Sequence, residues 1–239
     1  PEGYNTNQPM PFGFSNWCDM FTPRQLLAHL TLAEEPSQLK PAVLQTLGPE
    51  RGRAVLTYLQ FMLDKCLDYN SCFNRWIAQR TQVTGTFANH NFAPKWTFGE
   101  MVLSGPDSGA RWGLSQILAA YGGLVDLVGS LRQRLCSGKT SVEIQCGTAA
   151  NLKLPDGSVD LVCIDPPYYN NVQYAELSDF FYVWQRRALG SLYPDIYTRR
   201  LTNKADEAVA NPVRSGSRKK ADSDYKLRMS EIFRECRRV

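Results

Sequence analysis

The chain changes period a little past its midpoint. Up to about residue 135 its apolar positions recur at helical spacing; after that they alternate in short runs broken by turn residues. Thr22-Pro23 sets an N-cap before a proline at the first helical position, and "RQLLAHLTLAEE" continues the helix. Pro49 opens a second helix, in which Val55, Leu56, Leu59, Met62, Leu63, Cys66 and Leu67 fall at helical spacing. "RWGLSQILAAYGGLVDLVGSLRQRL" is a third helical pattern, weakened by Gly122, Gly123 and Gly129. Between the last two lies an aromatic, Gly- and Asn-rich irregular connection, "TGTFANHNFAPKWTFGEMVLSGPDSG". Then "SVEIQCG" alternates as a strand, "TAANLKLPDGS" turns, and "VDLVCI" predicts a second, buried strand ending at Asp165. A helix starting near Ser178-Asp179 carries Phe180, Phe181, Tyr182 and Trp184 as core residues. A polar, turn-rich stretch follows, and the C-terminal helix places Leu227, Ile232, Phe233 and Cys236 on or near one face.

The composition is ordinary for a soluble domain, with 43% hydrophobic and 21% charged residues, and no apolar run reaches the roughly 18 residues of a membrane span. The polar start lacks a signal-peptide core, which points to the cytoplasm. Seven cysteines form no C-x-x-C pair, so the spacing supports neither a zinc site nor a disulfide framework, and no metal is expected. Only His29 and His90 occur, and His29 reads as a helix residue; histidine-based acid–base chemistry loses support. Residues 186–239 hold 14 Lys/Arg against 7 Asp/Glu, while the rest of the chain is net acidic. Such a basic quarter suits either a polyanionic partner or a solvated surface. Arg214, Arg218, Lys219 and Lys220 are its candidate phosphate contacts.

The stretch "CIDPPYYNNVQYAELSDFFYVW" carries the chemistry. Proline cannot donate to a ladder and pushes the preceding residue out of helical space, so the strand stops at Asp165 with two rigid residues behind it. Asp165-Pro166-Pro167-Tyr168 matches the [DNS]-P-P-[YFW] motif, and the order strand, G-T-A loop, P-D-G turn, strand, D-P-P-Y resembles the middle of a class I S-adenosylmethionine-dependent methyltransferase. "NWCDMFTPRQLLAHLTLAEE", "HNFAPKWTFGE" and "KADEAVANP" look like segments of the large putative adenine-specific DNA methylases.

The resemblance implies an α/β fold: part of a Rossmann-like methyltransferase sheet with a large helical region before it. It divides the chain into a helical region at 1–135, a core segment with the D-P-P-Y motif at 136–190, and a basic loop with a C-terminal helix at 191–239. It implies methylation of N6 of adenine in DNA with S-adenosyl-L-methionine as cofactor. RNA as substrate, cytosine as target, and a non-catalytic nucleic-acid-binding or regulatory module stay open as alternatives.

In the family, the motif's carboxylate and a proline carbonyl accept the hydrogens of the target amine, here Asp165 and Pro166, and Pro167 fixes their direction. Tyr168 offers a face for a base taken out of its stack. Tyr169 and Tyr174 either contact that base or cover a sheet edge; Asn170 either bonds the substrate or caps the next helix. Gly147 and Thr148 match a loop near the cofactor, Thr148 standing where the family often has an acidic residue, and Asp165 borders the same site. The Gly-rich loop and the acidic strand end that hold the cofactor are not visible. That implies a fragment or one chain of a split enzyme, with the remainder in cis or as a separate chain.

Overall fold

A computed structural model describes residues 6–129, 131–132, 136–138 and 142–239. Helix α1 spans Pro23–Tyr69 and begins with a reciprocal cap: the Thr22 hydroxyl accepts from the Gln25 amide, and the Gln25 side chain accepts from the Thr22 amide at 2.9 Å. Gly48, at φ 77° and ψ 168°, breaks α1 into two helical halves, and Pro49 starts the second, where its missing N–H costs nothing. The first half runs on through Pro36 and Pro41, beyond the expected segment. Lys40 there donates to the carbonyl of Ala188 at 2.9 Å and to Ser191 at 3.1 Å, fixing the proline-containing turns against a later helix.

After α1 comes a minimal hairpin, β1 (Trp76–Ile77) antiparallel to β2 (Gln82–Val83), with Trp76 opposite Val83. Helix α2 (Gly109–Gly129) packs on the second half of α1. Gly113 allows the close approach: a Cβ there would meet the Met62 carbonyl at 3.0 Å. The "AAYGGLVDLVG" glycines lie inside α2, as the helical spacing predicts. The predicted last turns of this helix fall partly on residues 130 and 133–135, outside the described residues. Helix α3 (Tyr174–Leu189) also packs on α1, and α4 (Pro212–Ser215) leads into α5 (Arg218–Arg238).

The core lies where α1, α3 and the irregular segment between β2 and α2 meet. Phe180 of α3 is fully buried, stacked on Phe21 at 5.7 Å and surrounded by Trp17, Phe87 and Phe92. Burying such rings removes on the order of 150–250 Å² each from water, which makes this cluster the main source of cohesion. His29 sits beneath it, wholly buried, with Nε2 donating to the Asn70 carbonyl at 3.0 Å; burial pulls its pKa down. Among the described residues, no helix is long and apolar enough to cross a membrane.

The expected Rossmann-like α/β sheet is absent. The described chain is mostly helical, 53% helix and 2% strand, with the β1–β2 hairpin and no parallel sheet. Residues 142–146 and 159–164 carry no ladder, and their apolar side chains face solvent, with Ile144 92% and Leu161 79% exposed. Ser141, the first residue of the expected first strand, lies outside the described residues. Alternation reports a pleated surface, but a strand exists only where neighbours take its N–H and C=O groups. Near the second segment, among the described residues, only the amides of Gly157 and Val159 find backbone partners, the carbonyls of Arg238 and Val239, each at 2.8 Å. Cys163 is exposed for the same reason, whereas Cys66 and Cys72 are buried as apolar-run thiols.

Helix α5 turns inward only part of the expected face, with Ile232 and Cys236 half-buried. Leu227 and Phe233 are more than half exposed, while Ala221 and Met229 are buried.

Candidate functional site

Three elements build the motif turn. Extended chain brings in Asp165, the two prolines redirect it, and α3 leads away from Tyr174. Within the turn the Tyr169 amide donates to the Pro167 carbonyl and the Asn171 amide to the Tyr168 carbonyl, both at 2.9 Å. Tyr169 is held at φ 52°, the left-handed region that a bulky residue seldom occupies. Its carbonyl accepts from Ala210 at 3.0 Å and its hydroxyl donates to Asp222 of α5, so two segments distant in sequence fix it. From α5 the Tyr225 hydroxyl also reaches the Pro167 carbonyl, at 3.1 Å.

This leaves one open polar corner. Asp165 is exposed, and among the described residues its carboxylate accepts only a long bond, 3.5 Å, from the Tyr168 hydroxyl. The charge of Asp165 raises the pKa of the Tyr168 phenol, and Tyr174 adds to the rise. Among the described residues the Pro166 carbonyl accepts no hydrogen bond. Tyr168 and Tyr174 are 57% and 41% exposed, so acceptors and aromatic faces stand together at the surface. Next to this corner, Tyr169, Asn170, Pro212, Arg218 and Asp222 line a cleft of about 260 Å³.

Behind the turn lies a polar network. Asn211 donates to Gln173 at 2.9 Å and to buried Glu176 at 2.7 Å, and its own side-chain oxygen caps α4 through the Arg214 amide. The Arg214 guanidinium spans Glu176 at 3.2 Å and Glu207 at 2.8 Å. Burial pushes the Glu176 carboxyl up, against the pull of Arg214. The stretch expected to be a loose polar loop is tied down here, and the guanidinium of Arg214, expected as a phosphate contact, is engaged by two carboxylates. Arg218, Lys219 and Lys220 are exposed in the first turn of α5, where the helix dipole disfavours cations.

Gly147 and Thr148 form no cofactor cradle. Both are exposed, and among the described residues nothing lies within 4 Å of the Gly147 Cβ direction and Thr148 bonds only within its own turn, to Ala150 and Asn151. No hydrogen bond joins them to Asp165 among the described residues. A loop without walls cannot bury a flexible ligand, so these residues do not fit S-adenosylmethionine.

Sequence reasoning missed Asp222 and Tyr225. With Met229 they follow an i, i+3, i+7 spacing, a signal of one helical face that the stronger apolar residues of α5 obscured. It also missed Asp179, Arg186, Arg200 and Lys204, which line a larger cleft of about 720 Å³. Compared with models of known families, with curated proteins and with solved structures, the chain finds no match.

Proposed function

We propose that this chain presents the amine-binding side of an S-adenosylmethionine-dependent enzyme that methylates N6 of adenine in DNA. The observation that carries the reading is the open corner itself: an exposed Asp165 carboxylate, an unengaged Pro166 carbonyl and two exposed tyrosine rings. An exocyclic amine is a poor nucleophile because its lone pair is delocalised into the ring. Two acceptors aimed at its hydrogens favour a pyramidal nitrogen, and prolines hold one of them in place at no later ordering cost. Tyr168 provides a stacking face for a base drawn out of the duplex, worth about 1–3 kcal/mol. No histidine is needed for these steps.

S-adenosylmethionine supplies the methyl group. Since Gly147 and Thr148 form no pocket, its binding surface is assigned to the remainder of the enzyme, in cis or as a separate chain. In the complete enzyme, Asp165→Ala is expected to lower methyl transfer roughly 10²- to 10³-fold with an unchanged circular dichroism spectrum. Undiminished incorporation of labelled methyl removes Asp165 from the chemistry. The open Gly147 loop favours a second reading, a nucleic-acid-binding module without catalysis. DNA binding by the complete protein with no methyl incorporation at all selects it.

A further inference from the structure

We propose that the cleft between α3 and the segment 199–204 binds backbone phosphates of the nucleic acid whose base the motif turn receives. Asp179, almost wholly buried, builds the cleft. Its carboxylate accepts from the Thr202 amide at 2.9 Å and the Thr202 hydroxyl at 2.6 Å, and pairs with Lys204 at 2.6 Å. These bonds clamp the 199–204 segment against α3 and hold Arg200 and Lys204 beside Arg186. The Tyr182 hydroxyl adds a further tie, donating to the Arg199 carbonyl at 2.9 Å. Trp17, packed edge-on against Phe92 and Phe180, lines the same cleft.

The charges do not balance. Asp179 neutralises Lys204, but Arg186 and Arg200 have no carboxylate partner among the described residues. Two exposed guanidinium groups on a rigid frame leave a local excess of about two positive charges. Planar, always-charged forks of this kind suit phosphate oxygens. The cleft is also well placed. Asp179, Val183 and Arg186 lie along α3, and Arg186 is twelve residues from Tyr174, about 18 Å at the helical rise. At about 3.4 Å of duplex axis per phosphate of one strand, that distance spans roughly five nucleotides. The axial distance from the Tyr174 end of α3 to Arg186 is therefore one that a short stretch of a bound strand can span.

The inference rests on the nucleic-acid part of the proposed function, and its test separates the two. Binding of a short fluorescein-labelled DNA duplex is followed by anisotropy from low to moderate salt, with the complete enzyme. The Arg186→Gln/Arg200→Gln variant is expected to flatten the plot of log affinity against log salt by about two units. Arg218→Gln/Lys219→Gln/Lys220→Gln serves as the comparator. An unchanged slope in the first variant overturns the cleft as a phosphate site, whatever the comparator does, and leaves methyl transfer by the wild type standing. A flattened slope in a protein that incorporates no methyl keeps the cleft and removes the methyltransferase reading. No binding by the wild type overturns both.

Discussion

The Tyr225 hydroxyl, two turns into α5, donates to the Pro167 carbonyl at 3.1 Å, 58 residues away in sequence. The same carbonyl accepts from the Tyr169 amide, and the Tyr225 ring meets the Tyr169 ring edge-on at 5.2 Å. The last helix therefore braces the turn that carries the motif. The motif's geometry depends on a part of the chain that its four-residue signature does not include.

Tyr225→Phe removes that brace and keeps the ring. A net hydrogen bond contributes about 1 kcal/mol, so the urea midpoint is expected to fall by the equivalent of about that amount. Hydrogen exchange at the Tyr169 and Ala210 amides is expected to quicken, because both belong to the braced turn. Unaltered exchange at those two amides shows that α5 does not hold the motif.

Asp64, on α1, accepts from Gln60 at 2.8 Å and from Gln185 of α3 at 2.6 Å, and burial pushes its carboxyl up to about 6. A carboxyl raised above its ordinary 3.8 penalises the folded state when ionised. The penalty is absent below about pH 4, grows as pH rises, and is complete above about 6. Asp64→Asn keeps the shape and removes the charge, and the Gln185 amide can turn to meet the new donor. The variant is expected to be more stable than wild type at neutral pH, by roughly 1–2 kcal/mol because the side chain is only half-buried. At pH 4 the gain is expected to vanish. Thermal melts at both pH values check this, and an equal difference at both refutes it.

The local signals in the sequence were accurate where the physics is local. Thr22, Pro23 and Gln25 form the cap that their spacing predicts, and Gly48-Pro49 ends one helical half and starts the next. The aromatic start of α3 read correctly as core at Phe180 and Trp184, although the helix begins at Tyr174, earlier than expected. What failed depends on partners. Leu161, Val162, Cys163 and Ile164 form an apolar run like a buried strand, but burial belongs to whatever lies across from them, and no neighbouring strand is present among the described residues. Arg214 counts as one more cation in a basic quarter until Glu176 and Glu207 are seen on either side of it. The D-P-P-Y corner was legible because proline restricts its own backbone. The bracing of that corner by Asp222 and Tyr225 was not, since it needs α5 to be docked.

Arg214 gives the sharpest test of structural against nucleic-acid use of the basic region. Its guanidinium lies between two carboxylates, and it also donates to the Lys204 carbonyl at 2.6 Å. Arg214→Gln leaves Glu176, 5% exposed, with Asn211 and Thr6 as its remaining partners. Removing one member of a buried pair typically costs about 3–5 kcal/mol; with Arg214 itself partly solvated, roughly 2 kcal/mol is expected at pH 7. The lost stabilisation needs ionised carboxylates. The Glu176 carboxyl is already raised by burial and rises further without Arg214, so the deficit is expected to grow with pH as Glu176 ionises and to vanish at acidic pH, where Glu176 is protonated in both proteins. Urea unfolding of both proteins at acidic and neutral pH measures it. A variant as stable as wild type at neutral pH, but with a flatter salt dependence of DNA binding, returns Arg214 to the phosphate contacts.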